Sequence, residues 1–183
     1  MSSKQPQKRA NRSSELPSKE DLKKEIQVEA EDLKHLEGIL RHIHLVQNNA
    51  QLLGKRLIEN GYKDLGISLI AQSHLHDNTK FHGIEWDYLR VGNEKTKEFK
   101  LAMNQHVKTN SHHPEYHGGI NKMPETDIAE MVVDWQSRST EFGTDLRYWF
   151  RHKACHRYEI SVNSKSYKKI KFFIDMLLEK PFS

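Results

Sequence analysis

Cysteine is nearly absent, with Cys155 the only one in 183 residues. No internal disulfide can form, and CxxC-type zinc or redox sites are excluded. Any metal chemistry must therefore rest on histidines and carboxylates. Long apolar runs are missing too, and none approaches the ~18 residues that a membrane span needs. Met1 to Ser14 is polar and basic and lacks the apolar stretch of a secretory signal. These absences point to a cytoplasmic protein with no membrane partner. Alternating strand patterns, Asn-Gly hairpins between apolar runs and internal repeats are also lacking. The hydrophobic 36% of the chain is left to helices, and the fold class expected is all-α.

The formal net charge of +4 sits at one end. Residues 1–24 carry Lys4, Lys8, Arg9, Arg12, Lys19, Lys23 and Lys24 against Glu15, Glu20 and Asp21, so the remainder balances at zero. Residues 1–17 are too poor in apolar side chains to offset their ordering entropy and read as a disordered basic tail. Residues 18–183 read as one helical domain. A basic tail can touch nucleic acid through phosphate contacts. This one has no aromatic residues and no dense run of cations, which favours a solubilising role.

Ser18 and Asp21 have the spacing of a capping box. From there to Asn60-Gly61 only Gly38 interrupts helix-forming sequence, and Ile39, Ile43, Val46, Ala50, Leu53 and Leu57 recur at helical spacing. This is one long amphipathic helix or two. At about 100° per residue, His42 lies within about 60° of the apolar stripe and His44 about 140° away. A second helix is expected from Tyr62 through Leu65, Ile67, Leu69, Ile70 and Leu75 to the His76-Asp77 pair. Further helices are expected at Ile84–Val91, Glu94–His106, Glu125–Thr140, Asp145–His156 and Ser166–Glu179. Lys108–Pro124, with two prolines and two glycines, reads as an ordered loop of the kind that carries function.

Twelve histidines are many for this length, and imidazole is the commonest transition-metal ligand. His42, His76, Asp77, His106, His112, His113 and Asp134 stand at helix ends, in the loop or on the inner helix faces. A single histidine near an apolar face is usually a hydrogen-bonded core residue. Two adjacent ones in a loop that also bears glycines, Asn110-Ser111-His112-His113, have little to recommend them as packing residues.

In this order, Arg41-His42, His76-Asp77-Asn78-Thr79-Lys80-Phe81, His106, Asn110-Ser111-His112-His113 and Asp134-Trp135 resemble the HD superfamily of metal-dependent phosphohydrolases. The likeness is greatest to a family of small HD-like proteins of unknown function and spans Leu36 to Phe142. The resemblance implies one metal held by His42, His76, Asp77 and Asp134. Asp77 would bridge to a second metal held by His106 and by His112 or His113. In the cyclic-dinucleotide class of that superfamily His-His-Glu continues into Gly-Tyr-Pro. Here His113 is followed by Pro114-Glu115 and later Gly118-Gly119-Ile120, so that specificity is not implied.

Such a nitrogen and oxygen set suits Mn, Fe, Co, Ni, Mg or Zn without selecting among them. Two divalent ions about 3.5–4 Å apart can generate a nucleophile and clamp a phosphoryl oxygen. The reading is a metal-dependent phosphohydrolase acting on a nucleotide or another small phosphorylated substrate, with Asp77 and Lys80 as catalytic residues. Lys80 would neutralise charge on phosphoryl oxygens, or it is a solvated surface lysine. A di-iron oxygenase could use the same ligands, and a partner- or nucleic-acid-binding protein could keep a degenerate site. Glu85 and Glu115 could orient ligand imidazoles. Arg138 could reach a substrate phosphate or pair with Asp134. Trp86, Trp135, Tyr148 and Trp149 read as core, and His152 with His156 as structural or surface residues.

Overall fold

The computed structural model describes residues 18–89 and 96–179. The tail expected at 1–17, the helix ends expected at Val91 and Glu94, and the side chain of Asp21 lie outside the described residues.

Helix α1, Lys19–Glu59, runs unbroken for 41 residues. Gly38 costs such a helix only about 0.5–1 kcal/mol, so one helix forms rather than two. Val46, Ala50, Leu53 and Leu57 are fully buried and Ile39 and Ile43 partly so, while His42 is buried and His44 exposed. The chain turns at Gly61, whose φ of 90° is open to glycine at little cost. Helix α2, Lys63–Ser73, then packs back along α1. It ends before the His76-Asp77 pair, because Ser73 hydroxyl and a series of single turns take over its last carbonyls. Ile67 and Leu75, expected on its apolar face, are 49% and 67% exposed.

A 3-10 turn, Asn78–Phe81, leads to α3, Gly83–Leu89, and then α4, Lys97–Thr109, begins with Thr96 accepting a hydrogen bond from the Phe99 amide. Successive turns through Asn110–Gly119 and a 3-10 turn at Ile120–Lys122 deliver the chain to α5, Glu125–Phe142. Helix α5 stops at Gly143, which adopts φ 63°. Next come α6, Leu146–Trp149, a π-helical turn, Phe150–Ala154, and α7, Cys155–Arg157. The last is α8, Lys165–Leu178. Among the described residues there is no strand, and no helix is long and apolar enough to cross a membrane.

Helices α1, α2, α5 and α8 pack on one another, and α3 and α4 form a pair beside them. Residues such as Leu53, Leu69, Met131, Phe150 and Ile174 fill the centre, each burial stabilising by about 1.5–3 kcal/mol. Trp135 is buried, and Trp86 and Trp149 are partly so, but Tyr148 is 60% exposed. It stacks on His152 at the surface instead of joining the core, because α6 directs Leu146 and Phe150 inward. His152 and His156 are both exposed.

The α1–α2 contact depends on two glycines. A Cβ on Gly66 would stand 2.5 Å from the Gly54 carbonyl oxygen, whereas a Cβ on Gly38 would meet nothing within 4 Å. Gly66→Ala should therefore destabilise the protein by about 1–3 kcal/mol through overpacking against backbone. Gly38→Ala should stabilise it by about 0.5–1 kcal/mol. Urea unfolding of the two variants tests this, and equal shifts of the midpoint would refute the close backbone approach.

Candidate metal centre

The site is assembled from five places in the chain. Helix α1 contributes His42. The reversal after α2 contributes His76 and Asp77. Helix α4 contributes His106, the following loop His112 and His113, and α5 Asp134. The reversal is abrupt because Asp77 sits in the left-handed region, φ 56° and ψ 19°, a conformation that Asp tolerates better than most residues. Adjacent side chains that diverge in a regular helix here both turn inward, and His76 and Asp77 are each 2% exposed.

Asp77 is the centre of the arrangement. Its Oδ2 lies 3.4 Å from His76 Nε2 and 3.8 Å from His42 Nε2. Its Oδ1 lies 3.4 Å from His106 Nε2 and 3.5 Å from His112 Nε2. His113 Nε2 approaches His106 Nε2 at 3.2 Å, and Asp134 Oδ1 approaches His42 Nε2 at 3.0 Å and His76 Nε2 at 4.0 Å. All seven side chains proposed from the sequence thus meet in one place. Three overlapping sets have their donor atoms within 4.8 Å of one another: His42, His76 and Asp77; Asp77, His106, His112 and His113; and His76, His112 and Asp134. Asp134 groups with His76 and His112, and reaches the first set through His42.

His113 and His106 are hydrogen-bonded to each other, and the other approaches are close without being hydrogen bonds. His42 Nε2, His76 Nε2, Asp77 Oδ1 and Asp134 Oδ1 are buried with no hydrogen-bond partner. Leaving such atoms unpaired is costly, and separations near 3–3.5 Å are those of neighbouring ligands each about 2.1 Å from one cation. The donor set therefore fits a divalent metal.

The outward nitrogens of three imidazoles meet carboxylates. His76 Nδ1 lies 2.9 Å from Glu130 Oε1, His106 Nδ1 2.8 Å from Glu85 Oε2, and His42 Nδ1 3.3 Å from Glu141 Oε2. Glu130 and Glu85 favour a proton on Nδ1 of His76 and His106 and so turn their Nε2 lone pairs toward the centre, whereas Glu141 lies near His42 Nδ1 without a hydrogen bond. Glu130 Oε1 also lies 3.7 Å from His112 Nδ1, so one oxygen faces a histidine from each side of Asp77. Glu130 Oε2 accepts from Gln72 Nε2 at 2.5 Å, and the same amide bonds Asp127. Glu85 is held in turn by the Thr79 and Thr109 hydroxyls. Asn110 ties the loop to His106 carbonyl and Thr79.

Burial pushes His112 and His113 down to about 3, so both are neutral near pH 7 and keep a lone pair for a cation. Burial alone would raise the Asp77 carboxyl, but His76, Lys80, His106 and His112 overcome it and hold it well below the usual carboxylate range. Asp134 is likewise lowered against burial, by His42 and His76. His76 is raised because Asp77 and Glu130 outweigh its desolvation.

Lys80 is not a solvated surface residue. Its Nζ lies 2.5 Å from Asp77 Oδ2 and its side chain is 12% exposed. Arg138 pairs with Glu141 at 3.0 Å rather than with Asp134, because Glu141 stands one turn further along the same helix. Glu115 is exposed. Glu130 and Glu141 escape the sequence reading, although each stands at helical spacing from Asp134, four residues before and seven after.

Residues 31–176 match the model of DUF5662, a family of unknown function, and this span includes every donor from His42 to Asp134. The chain belongs to the DUF5662 family. No curated protein and no solved structure matches this DUF5662 chain.

Proposed function

We propose that this DUF5662 protein is a metal-dependent hydrolase of phosphate esters, with two divalent ions shared across Asp77 in the manner of the HD superfamily it resembles. The observation that carries the reading is the cluster of buried, unpartnered donor atoms around Asp77, with its outward nitrogens already oriented by carboxylates. His42, His76 and Asp134 would hold one ion, and His106, His112 and His113 the other. Ions bound there supply a hydrolytic nucleophile at neutral pH and positive charge against a phosphoryl oxygen.

The chain's own residues supply the rest. Lys80 lines the mouths of both clefts that open beside the centre. It stabilises negative charge that develops on the substrate's phosphoryl group as the bond to the leaving oxygen breaks. Arg138 stands at the same mouths and aligns the ester through its planar guanidinium. Asp77 and Lys80 are thus the catalytic residues of this reading.

Metal analysis of protein purified without chelators, followed by a screen of nucleotides and phosphate esters with the metal restored, tests it. The expected result is close to two divalent ions per chain and phosphate release that chelation abolishes. Protein that takes up no divalent ion would overturn it. Oxygen uptake in place of phosphate release would assign the same ligands to a di-iron oxygenase.

A further inference from the structure

Gly38 lacks a side chain at a cost to α1, yet among the described residues no neighbouring atom requires it. Gly54 and Gly66 are explained by the approach of α1 and α2, but a Cβ on Gly38 would meet nothing within 4 Å. A helix-interior glycine forfeits about 0.5–1 kcal/mol relative to alanine. The space above it belongs to a cleft of about 890 Å³ that reaches from His42 and Lys80, beside the candidate metal centre, along α1 to Lys34 and Glu31.

The lining of this cleft has two characters. Ile39, Leu89, Phe99 and Met103 form an apolar wall. Lys34, Arg41, Lys80 and Arg138 bring four cations against Glu31 and Glu141. Glu141 is already paired with Arg138 and close to His42 Nδ1, and along α1 Arg41 beside the centre and Lys34 at the far end outnumber Glu31, which leaves this wall complementary to an anion. Eight residues separate His42 from Lys34, about 12 Å along a helix.

We propose that the cleft over Gly38 receives the non-reacting body of the substrate, and that the substrate is an elongated phosphate ester with an apolar middle and a second anionic group about 12 Å from the reacting phosphate. This rests on the hydrolase reading for the identity of the reacting group. The missing side chain leaves room for the body, the apolar wall takes up its middle, and Lys34 meets the distal anion.

Titration calorimetry of the manganese-loaded full chain with inorganic phosphate, octyl phosphate and octanediol bisphosphate tests the proposal. The wild type should bind the bisphosphate at least about tenfold more tightly than octyl phosphate, and octyl phosphate more tightly than phosphate. Gly38→Trp should remove both gains while metal content and phosphate affinity stay unchanged. Lys34→Glu, a substitution of an exposed residue, should remove only the advantage of the bisphosphate. Equal affinities of the wild type for all three ligands would overturn the proposal, as would full retention of the gains in Gly38→Trp. A chain that holds no manganese yet still prefers the bisphosphate would keep the cleft and remove the hydrolase reading. A chain that loads manganese and binds phosphate without preference among the three would do the reverse.

Discussion

Asp77→Asn should weaken metal binding at both candidate positions at once. The two oxygens of Asp77 face different histidine sets, His42 and His76 on one side and His106 and His112 on the other. Removing the charge therefore weakens two ions with one substitution. Asparagine preserves the size of the side chain and accepts the left-handed backbone of this position, so the helical fold should persist. Losing a shared charged ligand should cost more than losing an outer partner, hence above about 100-fold in affinity for each ion. Manganese titration with far-ultraviolet circular dichroism as the folding control checks this. An Asp77→Asn protein that still takes up two ions would show that the carboxylate is not the bridge.

Glu130→Gln should weaken both ions together, whereas Glu85→Gln and Glu141→Gln should each weaken one. Glu130 Oε1 faces His76 Nδ1 and, less closely, His112 Nδ1, so it orients an imidazole in each set. Glu85 touches only His106 among the ligands, and Glu141 only His42. A carboxylate behind a ligating imidazole contributes orientation and basicity, and its removal costs about 10–100-fold in metal affinity. A stepwise metal titration should thus show both steps displaced in the Glu130 variant, and a single step displaced in each of the others. Glutamine is nearly isosteric, so thermal unfolding of the chelated proteins separates metal effects from a loss of packing. Displacement of one step only in Glu130→Gln would confine that residue to His76.

Much of this was legible from spacing. The phase of Ile39 to Leu57 puts His42 inward and His44 outward, and they are buried and exposed respectively. The same periodicity marks α1, α4, α5 and α8 to within a few residues, because burying one face of a helix repeats the apolar type every third or fourth position. Asn60-Gly61 marked the end of the first helix correctly, and φ at Gly61 is positive. Where local pattern and packing diverge, the reading fails. Tyr148 has the composition of a core residue but lies where α6 turns a different face inward, and Leu75 follows α2 after the helix has ended.

Glu130 and Glu141 show the limit most clearly. On α5 the residues Asp127, Glu130 and Asp134 line one helix face at spacings of three and four, which in a chain read alone is the mark of a solvated surface. Glu130 is 2% exposed, because the histidines from α1, the turn after α2 and the loop after α4 converge on that face. The Gly38 cleft is of the same kind: a glycine in a helix carries no sign of what lies above it. Residue type and helical phase were enough to establish an all-α chain and to nominate the side chains of the candidate metal centre, since both depend on neighbours within a turn or two. Which carboxylates orient those histidines, that Asp77 faces two sets, and that an open cleft runs from the centre along α1 depended on contacts between residues dozens of positions apart. Only the packed helices bring those residues together, and burial there turns charges that would otherwise be solvated into partners.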